Sequence, residues 1–257
     1  MLAGVAHARP SFGIFDAIGN RWHQTQDVNT VRPIASITKL MTAMVTLDYD
    51  YDLQRRLTLS NRVPSRLPPG SYTRLDLIQA LLIKSDNAAA ETLAEDYPGG
   101  RSAFIRAMNQ AANRYEMFNT NFNDPSGLGV FNTSTVMDIS RMLDAATGYW
   151  LIRDISTKKQ VAIETARGKH VRTVLLNNTN SSMLISFDTL AVSKTGFTTP
   201  AGFCVALAVE KQKSRYYIIV LGSKNKVERY KTVKDAMYHN TAVFDDRNLN
   251  IADVTQW

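Results

Sequence analysis

The chain has 257 residues, of which 44% are hydrophobic and 21% are charged, a balance typical of a folded globular protein. The formal net charge of +7 suits an anionic partner, but the basic residues are scattered without the spacing of a nucleic-acid-binding motif, so we expect no nucleic acid partner. Cys204 is the only cysteine, which excludes an intrachain disulfide and a cysteine-rich metal site. We expect neither a metal nor another cofactor.

The first eight residues allow two interpretations. Residues 2–5 are apolar, and Ala6-His7-Ala8 has the small-x-small form of a signal-peptidase site. The segment is either the remnant of an export signal or an unstructured start. Since no later run is long and apolar enough to cross a bilayer, we expect no transmembrane segment.

Strands are predicted near both ends of the chain and helices between them. Residues 12–15 and 22–23 predict a hairpin around Ile18-Gly19-Asn20, and residues 203–209 and 216–221 predict a second one. Apolar periodicity predicts helices after Ser36 and over residues 75–82, 88–94, 102–115, 134–146 and 227–238, with Thr133 or Ser134 as the cap of the fifth.

The predicted fold class is therefore α+β, with one antiparallel sheet built from both chain ends, flanked by helices, and a mainly helical region inserted in the middle. We expect residues 9–257 to form a single catalytic domain. Within it, residues 12–30 and 165–240 would carry the sheet and residues 31–150 the helical part.

Three short motifs stand in chain order, and we expect them to build one cleft. They are Ser36-Ile37-Thr38-Lys39, Ser85-Asp86-Asn87 and Lys194-Thr195-Gly196. The first pattern is weak alone, because the segments beginning at Ser156 and Ser223 fit S-x-x-K as well. Only Ser36 opens an amphipathic helix, which places Lys39 one turn along on the same face.

A serine hydroxyl becomes a good nucleophile only when a nearby base takes its proton, and a lysine is such a base only when its pKa falls toward neutrality. We therefore predict Ser36 as the nucleophile and Lys39 as the general base. Burial would lower the pKa of Lys39, and Lys194 is the predicted second cation that lowers it further.

The other two motifs have predicted roles around this pair. Ser85 would relay a proton between Lys39 and the leaving amine, and Asn87 would hold a substrate carbonyl. The alternative interpretation is that Ser85-Asp86-Asn87 only caps a helix. Lys194-Thr195-Gly196 would end a strand that starts at Leu190 and bind substrate along its edge, the alternative being a turn. The backbone N–H groups of Ser36 and Phe197 would form an oxyanion hole.

This set of motifs resembles the low-molecular-mass penicillin-binding proteins, the D-alanyl-D-alanine peptidase family. Residues 32–43, 124–128 and 194–198 carry the resemblance, which covers residues 12–238. Residues 97–100, 103–105 and 107–109 are similar to the penicillin-binding protein 7 branch of that family.

The resemblance implies a β-lactamase/transpeptidase-like fold and a D,D-endopeptidase that cuts D-alanyl-diaminopimelate cross-links of peptidoglycan in the periplasm. It implies peptidoglycan peptides as substrates, β-lactams as covalent inhibitors and complexes with other wall enzymes. Arg229 matches an arginine that helps to bind a substrate carboxylate, although a solvated surface charge is the alternative. No glutamate stands in an E-x-x-L-N loop of the β-lactamase kind, so acylation by β-lactams should reverse slowly.

Two other functions remain open from the sequence. One is a D,D-carboxypeptidase that trims a terminal D-alanine. The other is a wall-binding module that keeps the motifs but does no chemistry.

Overall fold

The structure is a computed structural model that describes residues 9–186, 189–211 and 213–238. The predicted export-signal remnant at residues 1–8, and the part of the predicted catalytic domain beyond residue 238, lie outside the described residues. None of the helices in the described ranges combines the length and the hydropathy that a bilayer crossing requires.

The main sheet has five antiparallel strands in the order β2-β1-β11-β10-β9. Their bounds are β1 Ser11–Asp16, β2 Arg21–Gln26, β9 Leu190–Thr198, β10 Gly202–Lys211 and β11 Ser214–Ser223. Strand β1 from the start of the chain pairs with β11 near its end, with Ile14 opposite Ile218. The predicted α+β class, with a sheet built from both chain ends, is confirmed.

Strands β10 and β11 are buried on both faces, which explains their almost continuous apolar sequence. Because successive side chains point to opposite faces, Val205 and Leu207 join Ile218 in one apolar cluster, and Ala206 and Ile219 lie in the other. Full burial of each Ile or Leu contributes about 1.5–3 kcal/mol, so the two clusters fix the register of the sheet.

Helices cover the sheet and fill the middle of the chain. They are α1 Lys39–Tyr49, α2 Arg74–Gln79, α3 Asn87–Glu95, α4 Gly100–Arg114, α5 Val136–Thr147, α6 Trp150–Ser156, α7 Ser181–Ser186 and α8 Lys226–Tyr238. A 3₁₀ turn, Ala35–Thr38, leads into α1, and a π turn, Ala80–Lys84, continues α2. Helix α8 packs on one face of the sheet, and its Val233 joins the cluster of Ile218.

Two smaller sheets were not predicted. A two-stranded ladder pairs β3 Arg32–Pro33 with β6 Thr133–Ser134, and a four-stranded sheet has the order β4-β5-β7-β8. The strands of the latter are β4 Arg56–Thr58, β5 Ser71–Thr73, β7 Gln160–Arg167 and β8 His170–Asn177. The helical part of the fold therefore carries a sheet of its own, which pairs segments about a hundred residues apart.

Two local predictions were wrong by one or two residues. Thr135, not Thr133 or Ser134, caps α5, because its side chain accepts a hydrogen bond from the Asp138 N–H, whereas the two preceding residues are taken up by the ladder with β3. Strand β9 does not end at Gly196 but runs on to Thr198, since its pairing with β10 continues to Gly202.

Candidate active site

The three motifs meet in one cleft of about 550 Å³ between the start of α1, the end of the π turn and strand β9. Ser36, Ser85, Asn87, Thr195, Gly196, Phe197 and Arg229 all line it. Lys39 and Lys194 lie just beneath, where their side chains are buried and their amines bond to residues of the lining. The predicted convergence of distant segments is thus what the fold produces.

Ser36 lies in the 3₁₀ turn that precedes α1, one turn before Lys39. The Lys39 Nζ donates a 2.8 Å hydrogen bond to the Ser36 Oγ. Ala35 has a φ of 46°, a left-handed conformation that costs energy for a residue with a side chain and that is found at functional turns. A Cβ on Gly196 would lie only 3.0 Å from the Ser36 N, so the glycine lets strand β9 approach the serine backbone.

Lys39 is fully buried, and its amine bonds to neutral oxygen atoms. Besides the Ser36 Oγ, Nζ donates to the Asn87 Oδ1 at 2.8 Å and to the Ser126 carbonyl at 2.6 Å. Burial lowers the pKa of Lys39 to about 7, against the opposing attraction of the Asp124 and Asp86 carboxylates. Near neutral pH the amine is therefore deprotonated to a large extent and within reach of the serine proton.

The loop at residues 124–129 positions the Lys39 amine through a hydrogen bond to the Ser126 carbonyl, a role that was not predicted from the sequence. The Asp124 carboxylate accepts hydrogen bonds from the N–H groups of Ser126 and Gly127, which turns the Ser126 carbonyl toward Lys39. Thr42 of α1 donates to the Pro125 carbonyl at 2.5 Å and ties the loop to the helix. The sequence signal for this role is the Asp-Pro-Ser-Gly run at residues 124–127, whose residue types favour a tight turn.

The Ser85-Asp86-Asn87 segment follows the π turn, a distortion often found at functional sites. Ser85 itself has a left-handed φ of 58°. Its Oγ accepts a 2.9 Å hydrogen bond from the Lys194 Nζ, and no bond to Lys39 is present among the described residues. Ser85 therefore contacts the second lysine and not the predicted first one.

In this segment the helix cap and the cleft lining are provided by different residues. Asp86 is the cap of α3, since its Oδ1 accepts from the Ala89 N–H at 2.9 Å. With the cap position filled by Asp86, Ser85 and Asn87 are left to face the cleft. The Asn87 Oδ1 accepts from Lys39, so its Nδ2 is the donor side of the amide for a substrate carbonyl.

Lys194 is also buried, and it donates to the Ser85 Oγ and to the Thr195 carbonyl at 2.8 Å. Its pKa is lowered well below the ordinary range, first by burial and next by Lys39, Arg229 and Arg66. The prediction that Lys194 is the cation lowering the pKa of Lys39 needs correction. Burial is the main cause for Lys39, and the cation that lowers its pKa further is Arg66, not Lys194.

The last three predicted residues lie at the β9 side of the cleft. Thr195 shares a 2.8 Å hydrogen bond with the hydroxyl of Thr179, and Phe197 is half exposed on the ring of Phe203, with centroids 4.2 Å apart. Arg229 is buried, and it donates to the Cys204 carbonyl at 3.2 Å while lining the cleft. It is therefore not a solvated surface charge.

The two decoy serines lie outside this cleft. Ser156 is buried at the end of α6, where its Oγ accepts from the Ser193 N–H at 3.2 Å. Ser223 is buried at the end of β11. Neither begins a helix that could carry the following lysine onto the same face.

Comparisons with known proteins point to one family. The profile of the D-alanyl-D-alanine carboxypeptidase family, peptidase S11, matches residues 7–225. A D-alanyl-D-alanine endopeptidase of Pseudomonas aeruginosa is 36% identical over 80% of this chain and 68% of its own length. One of Escherichia coli K12 is 35% identical over 84% of this chain and 72% of its own length.

Other relatives, named carboxypeptidases, match at 25–30% identity. Among solved structures, penicillin-binding protein D2 from Listeria monocytogenes in the cefotaxime-bound form superposes with a TM-score of 0.78 at 27% identity. The superposition covers 89% of this chain and 95% of that one.

Proposed function

Because the chain belongs to the D-alanyl-D-alanine carboxypeptidase family of serine peptidases, we propose that it hydrolyses D-alanyl peptide bonds of peptidoglycan through an acyl-enzyme on Ser36. The observation that carries this assignment of residues is the 2.8 Å hydrogen bond between the Lys39 Nζ and the Ser36 Oγ. The pKa of about 7 lets that lysine act as a base at neutral pH.

In the acylation step, Lys39 takes the hydroxyl proton as the Ser36 Oγ attacks the carbonyl carbon of the D-alanyl residue. The oxygen of that carbonyl becomes an oxyanion, which the N–H groups of Ser36 and Phe197 stabilise. The substrate lies along the edge of β9, and the Asn87 amide holds another of its carbonyls. Support comes from the position of β9 at the edge of the sheet and from the close approach that Gly196 allows.

Collapse of the tetrahedral intermediate releases the leaving amine, which needs a proton. Ser85 supplies it from the cleft wall, where the bond from Lys194 orients its hydroxyl. The proton that Lys39 took from Ser36 then restores the Ser85 hydroxyl, which requires that hydroxyl to turn from Lys194 toward Lys39 during turnover. Lys39 is then neutral again, and Lys194 keeps its protonation throughout. Water next attacks the acyl-enzyme, again with Lys39 as the base, and frees Ser36.

We propose that the main reaction is endopeptidic, the cleavage of D-alanyl-diaminopimelate cross-links, in the periplasm. The support is that three relatives are named endopeptidases, at 36%, 35% and 28% identity, and that the first two exceed the 25–30% of the relatives named carboxypeptidases. Carboxypeptidase activity is the second candidate, because the family itself bears that name.

A labelled penicillin tests the nucleophile. The wild-type protein should acquire one covalent adduct, which mass spectrometry should locate to the peptide that contains Ser36, and Ser36→Ala should acquire none. Ser223→Ala is a matched control, since it changes a buried serine of a decoy S-x-x-K segment and should label normally. If Ser36→Ala is labelled, or if the wild-type protein is not, the assignment of an acyl-enzyme on Ser36 is overturned. The wall-binding module is then the remaining alternative.

A pair of substrates tests the reaction. Cross-linked dimeric muropeptides should be converted to monomers faster than free pentapeptides lose D-alanine. Release of D-alanine without any loss of dimers would replace the endopeptidase by the carboxypeptidase, with the same Ser36 chemistry.

A further inference from the structure

Arg66 stands on the wall of the cleft, and neither the motifs nor the mechanism uses it. It belongs to the loop at residues 64–66 that lines the cleft beside Ser85 and Asn87, and its side chain is exposed. The neighbouring Arg62 and Arg74 are both paired with carboxylates. Among the ion pairs of the described residues, none includes Arg66.

The backbone at Arg66 is fixed to the catalytic segment through Asp86. The Asp86 Oδ2 accepts from the Arg66 N–H at 2.7 Å and from the Ser65 Oγ at 2.9 Å. The other oxygen of the same carboxylate caps α3 through the Ala89 N–H. A buried aspartate between Ser85 and Asn87 thus sets the position of the arginine relative to the two residues that face the substrate.

The charges of the lining make the cleft a site for anions. Its three cationic side chains are Arg66, Lys226 and Arg229, and its one acidic side chain is Asp86, whose oxygens are already engaged. Arg66 lowers the pKa of both Lys39 and Lys194, whereas Arg229 acts on Lys194.

We propose that Arg66 binds a free carboxylate of the wall peptide other than the one beside the scissile bond, and so selects substrates that carry this second negative charge. The inference rests on the proposed function. A guanidinium binds a carboxylate through two parallel hydrogen bonds, a geometry that an exposed arginine without an acidic partner is ready to form. A diaminopimelate residue in the peptide carries such a free carboxylate, and a lysine in its place lacks it.

Two matched peptides test the selection. They are identical except that the residue on the N-terminal side of the cleaved D-alanyl residue is diaminopimelate in one and lysine in the other, so that the carboxylate beside the scissile bond is the same in both. The value of kcat/KM is measured for each peptide. The ratio of the two values should favour diaminopimelate in the wild-type protein and fall about tenfold or more in Arg66→Gln. Arg66→Lys should retain part of the preference, and Arg66→Glu should reverse it.

Arg62→Gln is the matched control, because Arg62 is an exposed arginine of the same segment that lies outside the cleft lining and pairs with Glu95. Its ratio should equal that of the wild type. The ratio is the decisive readout, since loss of the Arg66 charge also raises the pKa of Lys39 and thereby changes both peptides by the same factor.

An unchanged ratio in Arg66→Gln overturns the inference, whether both rates stay constant or fall together. Such a result leaves the proposed function intact, because the wild-type protein still cleaves the peptides. A wild-type protein that cleaves neither peptide and forms no penicillin adduct overturns the proposed function, and this inference with it.

Discussion

Two buried cations among the described residues, Arg74 and Lys39, have opposite surroundings. Arg74, at the start of α2, is 1% exposed and pairs with Asp50 and Asp96, at 2.7 Å for the first. Lys39, at the start of α1, is 0% exposed and bonds to a hydroxyl, an amide oxygen and a carbonyl.

The two pKa values shift in opposite directions, because hydrogen-bonded carboxylates oppose the effect of burial at Arg74 and none does so at Lys39. Burial alone would lower the pKa of Arg74, but hydrogen bonds with Asp96 and Asp50 raise it, so the guanidinium remains charged. No carboxylate bonds to the Lys39 amine, and burial lowers its pKa to about 7. A buried cation with acidic partners holds segments together, whereas one with neutral partners becomes a base.

The largest expected effect is on catalysis, from the loss of the neutral-partner lysine. Lys39→Ala should lower the rate of penicillin acylation about 10²–10⁴-fold, because no base then takes the Ser36 proton. Circular dichroism should show a retained fold, and stopped-flow or gel-based labelling measures the rate. A variant that acylates at the wild-type rate would contradict the assignment of Lys39 as the base.

The next effect is on stability, from the loss of an acidic partner of Arg74. Asp96→Asn should lower the free energy of unfolding by about 2–3 kcal/mol, less than a complete loss of pairing, because Asp50 remains. Urea denaturation measures the change. Acylation per folded molecule should stay within about twofold, and a large loss of acylation without destabilisation would contradict the separation of the two sites.

A third variant, Asn87→Asp, gives Lys39 an acidic partner like those of Arg74. Wild-type acylation should rise about tenfold per pH unit below pH 7 and level off above it, because only the neutral Lys39 is a base. Asn87→Asp places a carboxylate 2.8 Å from Nζ, which favours the charged amine and should move this midpoint up by about one unit or more. An equal loss at every pH would mean that only substrate binding was impaired.

The smallest effect is expected at an exposed ion pair. Glu95→Gln removes the carboxylate that lies 3.0 Å from Arg62, whose side chain is half exposed. The free energy of unfolding should change by less than about 0.5–1 kcal/mol, because water screens such pairs. Thermal unfolding of Glu95→Gln is compared with that of Asp96→Asn. An equal loss of stability in the two variants would contradict the conclusion that a buried ion pair stabilises the fold more than an exposed one.

Much of the fold follows from local patterns. The hairpins at both chain ends and most helices were predicted, because period-2 and helical periodicity are properties of neighbouring residues. The sheet that pairs β5 with β7 was missed, since Ser71 meets Ala166 only through long-range packing. The cap at Thr135 was misplaced because the short ladder of β3 and β6 occupies the residues before it.

The sequence by itself determined the chemistry on offer: a serine one helical turn before a lysine, two polar segments to complete a cleft and an excess of positive charge. Only the tertiary structure decided how those groups behave. It placed the Ser126 carbonyl within hydrogen-bonding distance of the Lys39 amine. It also formed the hydrogen bonds from the Arg66 N–H to the Asp86 carboxylate and from the Lys194 amine to the Ser85 hydroxyl. The physical reason is that a pKa depends on burial and on the nature of the nearest oxygen atoms, which segments far apart in the chain supply.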